Sequence, residues 1–313
     1  VPVLSTHKMS NVVKDKLHTL KIESMLNEQK IISVKETDSL EAVVKVLSEN
    51  KIHSCPVLGE NDKCVGTIDM LDIVNHVVLV APEKEDISKA GNTKKHITEV
   101  LEMASRALAL AQVKHVMNTA ETNTFVPLEK DNQLTLALAM FSSGIHRTPV
   151  VDTEGKLVGT LSQSAIINWL IEQSETHLKE FDALPKYLAD IGLGESSVIT
   201  ATETEDVFSV LKKMKDSGVS AIPIVDADGK LVGNFSAVDL VGLYKDHLPK
   251  FSQSIKGYLK DHSASSFVNK GLPHQTTTLT DLLAFFKENK YHRVWILDND
   301  SKPTGVVSHT DFM

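Results

Sequence analysis

Four places in this chain share one spacing, and that register constrains the fold more than any other feature. A short apolar pattern recurs at Cys55-Pro56-Val57-Leu58, Thr148-Pro149-Val150-Val151, Ile222-Pro223-Ile224-Val225 and Val294-Trp295-Ile296-Leu297. A polar turn follows each, and then a glycine: Gly66, Gly159, Gly233 or Gly305. Ten positions separate Pro56 from Gly66, Pro149 from Gly159, Pro223 from Gly233 and Trp295 from Gly305, with tryptophan replacing proline in the fourth copy. Self-similarity of this kind marks a chain built from one repeated supersecondary unit. Successive glycines lie 93, 74 and 72 residues apart, so the first connection carries about 20 extra residues.

Each copy reads as βαββα. An amphipathic helix leads, over 39–50, 134–143, 205–217 and 279–289, with apolar residues at three-to-four spacing such as Leu40, Val43, Val44 and Leu47. Asp38, Asp131 and Asp206 stand where helix-capping residues are favoured. Two short strands follow, joined by turns such as Asp228-Gly229-Lys230, a hairpin signal. A second helix begins after the glycine strand, over 70–78 and 163–171 for example. The fold class is therefore α/β (α+β). The expected divisions are an arm over 1–19, repeat one over 20–80, a charged linker over 81–110 with a helix over 97–111, repeat two over 111–175, repeat three over 181–246 and repeat four over 250–313. The chain stops two residues after Asp311, so the last helix of repeat four is not expected.

Composition removes several function classes. The net charge is −8, and no basic block exceeds a pair such as Lys94-Lys95, which argues against a nucleic-acid surface. No apolar run approaches the ~20 residues a membrane helix needs. The first residues lack a basic-then-apolar leader pattern, so the expected location is the cytoplasm, with the nucleus as a second compartment. Cys55 and Cys64 lack C-x-x-C spacing and read as small strand residues.

Two recurrent clusters carry chemistry. Six positions past the glycines stand Asp72, Ala165, Asp239 and Asp311; three positions earlier stand Asp69, Ser162, Ser236 and Ser308. A Ser-x-x-Asp opening a helix is a cap, worth about 1 kcal/mol. It is equally a carboxylate able to accept from two vicinal ribose hydroxyls, and one residue can do both. The second cluster precedes each proline strand: Ile52-His53-Ser54, Ile145-His146-Arg147, Val219-Ser220-Ala221 and Tyr291-His292-Arg293. Arginine presents a planar donor fork suited to phosphate, and histidine adds a donor beside it.

Other apparent constellations fail. Asp226 to Gly229 lacks the glycine and glutamate positions of a calcium loop. Ser308, His309 and Asp311 sit on one turn and would not converge as a triad. Gly192-x-Gly194 lacks a third glycine, and neither a Walker A sequence nor a metal-ligand spacing is found. No enzyme is expected, and no cofactor.

These registers resemble the cystathionine-β-synthase (CBS) repeat over nearly the whole chain. The resemblance implies four repeats arranged as two paired (Bateman) modules. Within that family the sequence looks most like the nucleotide-sensing gamma subunit of AMP-activated protein kinase, on Ile145-His146-Arg147, Tyr291-His292-Arg293, the run from Val219 to Asp226, and the aspartate missing at Ala165 alone. The ligands implied are AMP, ADP or ATP, and the partners implied are protein kinase catalytic and scaffold subunits. By the same resemblance Asp311 would clamp ribose in the tightest site, lined by Ser308 and Ser220, with His146, Arg147, His292 and Arg293 on phosphate. Asp239 and Asp72 would serve two further sites, Ser236 and Thr200 would line them, and His53 would meet phosphate. The site of repeat two should be empty, because Ala165 cannot hold hydroxyls.

The sequence departs from that pattern at His53, Ser164, Ala165 and Gly194. Fewer cations then converge on phosphate, so sites using His53 and Ser164 should be weaker or tuned to a less charged ligand. An alternative is a CBS-repeat scaffold with a non-kinase partner, such as the four-repeat fungal phosphatase regulators or plant CBS proteins, since fold does not fix function.

Overall fold

The computed structural model describes residues 17–26, 31–80, 102–103, 106, 108–119, 124–176, 187–240, 250–262, 271–289 and 291–313. The helix expected over 97–111 lies mostly outside these, although 108–110 are helical and Leu108 is buried.

Each repeat forms a three-stranded sheet. In repeat one, β1 (Val34–Lys35) runs parallel to β2 (Ser54–Leu58), and β2 runs antiparallel to β3 (Cys64–Asp69). The same order returns with β4 (Leu128–Glu129), β5 (Arg147–Val151) and β6 (Leu157–Ser162), then β7 (Ala201–Thr202), β8 (Ala221–Val225) and β9 (Leu231–Ser236). Repeat four supplies β10 (Gly271–Pro273), β11 (Arg293–Leu297) and β12 (Pro303–Ser308). Val57, Val150, Ile224 and Ile296 face Gly66, Gly159, Gly233 and Gly305, and each pairing shifts register one step later. The ten-residue spacing is thus the length of a bulged hairpin.

A parallel pair of strands needs a crossover, and a helix supplies it in every repeat. These helices are α1 (Leu40–Asn50), α3 (Leu134–Ser142), α5 (Val207–Asp216) and α7 (Leu279–Asn289); α2 (Met70–Val80), α4 (Gln163–Thr176) and α6 (Ile255–His262) lie between them. Ser39 Oγ accepts from Ala42 N at 3.2 Å, and Asp206 Oδ1 from Ser209 N at 2.9 Å, so these residues cap α1 and α5. Asp38 and Asp131 do not cap. Asp38 instead accepts from Lys35 N at 2.8 Å within the strand-to-helix turn, and Asp131 makes an exposed 3.3 Å ion pair with Lys21. The hairpins close through Asp152, Asp226 and Asp298, whose Oδ1 atoms each accept two backbone N–H groups at 2.8 to 2.9 Å. Asp226 therefore belongs to a turn and not a calcium loop.

Sheets pair one with two and three with four. Cys64 N donates to Gly155 O at 3.1 Å, and Leu231 N donates to Ser301 O at 2.9 Å, joining hairpins within each pair. The straps between repeats are reciprocal. Ile22 and Glu23 donate to the strand-to-helix turn of repeat two, at Asn132 O and Lys130 O, while Val113 and Lys114 donate to that of repeat one, at Asp38 O and Glu36 O. Helices pair the other way: one apolar core joins repeats one and three, from Val34 through Leu47 and Ile73 to Val207 and Phe235, and the other joins repeats two and four. All four repeats therefore meet at one centre. Cys55 is buried, Cys64 is half-buried, and both are free thiols; burial pushes Cys55 up to about 12.

Candidate functional site

The strand ends before β2, β5, β8 and β11 and the turns after β3, β6, β9 and β12 converge on a central cavity of about 110 Å³. Repeat one brings His53, Ser54 and Asp69; repeat two brings His146, Arg147, Ser162 and Ser164; repeat three brings Ser220 and Ser236; repeat four brings His292, Arg293, Ser308 and His309. Residues up to about 250 positions apart in the chain are thus drawn together because the same register position faces the centre in each repeat.

The cavity is basic. Arg293 donates to Ser220 Oγ at 2.8 Å, crossing from repeat four to repeat three. Burial lowers Arg293 to about 10, against the pull of Asp239. Arg147 donates to Ser54 O at 3.4 Å; burial lowers its pKa while Asp69 opposes the shift. His146 falls to about 4 through burial, reinforced by Arg293, Arg147 and His292. His309 falls to about 3 through burial and the nearby His292. His53 is lowered by burial and by Arg147. The histidine rings stand close, with centroids 6.5 Å apart for His53 and His292 and 5.3 Å for His292 and His309. Among the described residues, His53 Nδ1, Ser54 Oγ and His309 Nε2 are buried without a hydrogen-bond partner. Buried polar atoms normally have partners, so a hydrogen-bonding group, water or ligand, completes these.

The acidic motif surrounds this centre. Asp311 Oδ2 accepts from Ser308 N at 2.7 Å and Ser308 Oγ at 2.9 Å. Asp239 Oδ2 accepts from Ser236 N at 2.8 Å and Ser236 Oγ at 2.9 Å. Both are half-buried, and each takes these two bonds on one carboxylate oxygen as the acidic member of a helix cap. Asp72 differs: it is 0% exposed, its Oδ2 accepts from Asp69 N at 3.0 Å, and its Oδ1 accepts from Thr119 N and Thr119 Oγ1 at 3.0 and 3.1 Å. In repeat two, Ser162 Oγ caps α4 alone, accepting from Ala165 N at 3.3 Å. Thr200 stands apart; its carbonyl accepts from Lys213 Nζ at 3.1 Å, and it lines neither this cavity nor the one between repeats one and two. Gly194, at φ +85°, packs its backbone against Gly305.

Two residues at the centre were not singled out for it in the sequence. His309 packs edge-on against Phe286 at 4.9 Å and lies 3.4 Å from Ser164 Oγ through Nδ1. Gln163 donates to Phe141 O, Ile145 O and Thr310 Oγ1 at 3.1, 3.0 and 2.9 Å, tying repeat two to repeat four. The register carries a signal: 70, 163, 237 and 309 are equivalent positions, occupied by Met, Gln, Ala and His, and only the even repeats make them polar.

Four such sheets around one basic centre define a tandem-repeat protein of paired modules. The chain belongs to the CBS domain family, whose pattern matches residues 23–79, 113–172, 189–246 and 274–313. Among curated proteins it is similar to Protein SDS23 of Phaeosphaeria nodorum, 27% identical over 250 residues, covering 75% of this chain and 45% of that one. Protein SDS23 of Candida albicans is 22% identical over 318 residues, covering 92% and 50%. The chain spans about half the length of the curated relatives it matches. Among solved structures, a Methanocaldococcus jannaschii protein described as a candidate archaeal homologue of the AMP-activated kinase gamma subunit superposes with TM-score 0.71 at 17% identity, covering 94% of this chain and 98% of that one. A Pyrococcus horikoshii protein superposes with TM-score 0.51 at 15% identity, covering 94% and 98%. These likenesses show the four-repeat fold. Among the described residues no helix is long and apolar enough to cross a membrane.

Proposed function

We propose that this chain is a non-catalytic adenine-nucleotide sensor, taking AMP, ADP or ATP with phosphates at the centre and ribose against Asp311 and Asp239. One observation carries the reading: two guanidinium groups and the histidine ring atoms of three repeats surround a single cavity, with buried donors and acceptors left without partners. Anions favour such a place, and a planar guanidinium matches phosphate oxygens. A phosphate there would engage repeats one, two and four at once, so occupancy changes how the modules are held together. A partner that prefers one arrangement is then coupled to the nucleotide by that difference in affinity.

The kinase-subunit form of this reading rests on the sequence resemblance. A second reading, a CBS-repeat regulator of a non-kinase partner such as a phosphatase, is favoured by the curated relatives, which carry the name SDS23 and not that of a kinase subunit. In both readings the protein works in the cytoplasm or nucleus. Co-purification distinguishes them: kinase catalytic and scaffold subunits support the first, a phosphatase the second.

The nucleotide reading itself is tested by calorimetric titration with AMP, ADP and ATP, with S-adenosylmethionine as control. Saturable AMP binding that Asp311→Ala weakens at least about tenfold, the worth of one charge-assisted hydrogen bond, is the expected result. No binding by any adenine nucleotide would leave the aspartates as helix caps and the chain as a scaffold.

A further inference from the structure

The structure holds a second cavity, of about 530 Å³, between repeats one and two, at the position where Ala165 replaces the aspartate. Its size falls in the ~300–1,000 Å³ range of small-molecule sites. Met25, Leu26, Ile31, Ile32, Ile52 and Pro56 give it an apolar wall. Among the described residues no acidic side chain lines it, and the charged one is Arg147, at the end where it meets the central cavity. Such a lining repels nothing anionic and accepts an apolar body beside a negative group. The expectation that this site is empty follows from the loss of a diol clamp. That loss removes one means of holding a sugar and leaves Arg147, the apolar wall and the Ser162 and Ser164 hydroxyls in place. Ser162 Oγ accepts from Ala165 N at 3.3 Å, whereas the hydroxyls of Ser236 and Ser308 donate to Asp239 and Asp311.

We infer that this cleft binds a purine monophosphate through its phosphate and its base, without gripping the sugar diol, and therefore does not distinguish ribose from deoxyribose. The inference deepens the nucleotide reading and rests on it. Phosphate would lie toward Arg147, and the base between the apolar wall and Pro149. The sites at Asp239 and Asp311 would differ in kind. A carboxylate that waits for hydroxyls rejects an analogue lacking one, because the desolvated partner is left unpaired.

The test titrates AMP and 2′-deoxy-AMP into the wild-type chain, into the Asp239→Ala/Asp311→Ala double variant, and into that double variant carrying Ala165→Asp, with far-ultraviolet circular dichroism to verify folding. The double variant is expected to keep one site with equal affinity for the two nucleotides. Ala165→Asp is expected to make that site prefer AMP by about tenfold or more, the worth of one charge-assisted hydrogen bond. Loss of all binding in the double variant, while the wild type binds AMP, overturns this inference alone. A residual site that already prefers AMP tenfold overturns it too, whatever Ala165→Asp does. Failure of the wild type to bind either nucleotide overturns the nucleotide reading and this inference together.

Discussion

Thr119 meets the buried carboxylate of Asp72 twice, through its backbone N–H at 3.0 Å and its hydroxyl at 3.1 Å, both on Oδ1. A segment of repeat two thereby occupies the oxygen that a ribose diol would need in repeat one. Asp72→Ala leaves the N–H groups of Asp69 and Thr119 without that acceptor, and an unsatisfied buried donor costs about 1–3 kcal/mol. Asp311→Ala removes a half-exposed cap, worth about 1 kcal/mol. Urea unfolding should therefore find Asp72→Ala the more destabilising by about 1–3 kcal/mol. Equal losses would mean that the Thr119 contact contributes nothing to stability.

Arg293 reaches phosphate and not adenosine in the proposed binding mode. Arg293→Ala should weaken AMP and ATP by about ten- to a hundredfold, the range of a hydrogen bond to a charged group, and leave adenosine nearly unchanged. The substitution also frees Ser220 Oγ from its 2.8 Å bond, so thermal unfolding of the variant should accompany the titration. Equal losses for all three ligands would remove Arg293 from the phosphate.

Protonation follows from the two depressed histidines. The folded chain protonates His146 only near 4 and His309 only near 3, whereas the unfolded chain does so at about 6.5. Between those values the unfolded state binds more protons, so stability of the ligand-free protein decreases as pH falls from about 6.5 toward 4. A phosphate beside His146 favours its charged form and raises its pKa in the complex. AMP binding should therefore take up protons and tighten as pH falls from 7.5 toward 6, with adenosine unaffected. Titration in two buffers of different ionisation enthalpy reads the proton uptake directly.

Two glycines at equivalent positions should respond differently to alanine. A Cβ on Gly305 would land on the Gly194 backbone, with its carbonyl carbon at 2.7 Å, and main chain cannot rotate aside. A Cβ on Gly159 would meet the end of the Leu26 side chain, Cδ2 at 3.0 Å, which can. Gly305→Ala should cost about 1–3 kcal/mol or more and Gly159→Ala less than about 1 kcal/mol, read from urea midpoints. Equal costs would mean that the turn holding Gly194 yields as easily as a side chain.

The hairpins and crossover helices were legible in the sequence because they follow from local rules; the pairing into modules came from the family resemblance. Ten residues from Pro56 to Gly66 is a hairpin length, and Leu40, Val43, Val44 and Leu47 are one helix face. Partner choice was not legible. Nothing in the sequence of Ile73 or Val207 marks that repeats one and three share a core while repeats one and two are joined hairpin to hairpin. The glycines set the register, which does not reveal that Gly66 meets Met117 or that Gly305 meets Gly194. The same holds at the centre. His146, Arg147, His292, Arg293, His53, Ser220, Ser236 and Ser308 converge there, whereas Thr119 on Asp72 and Thr200 against Lys213 arise from contacts with no sequence period. His309 read only as a neighbour of Ser308 and Asp311 on one turn; its burial places it against Phe286 of the preceding helix.

Arg147 belongs to both cavities. One guanidinium cannot fully neutralise an anion on each side of itself, so in the proposed binding modes whichever phosphate engaged it first would leave a weaker field for the other. Reciprocity makes that antagonism mutual and equal in size. Two ligands competing for a single shared charge would make the protein respond to the proportion between them, with neither concentration alone setting its state.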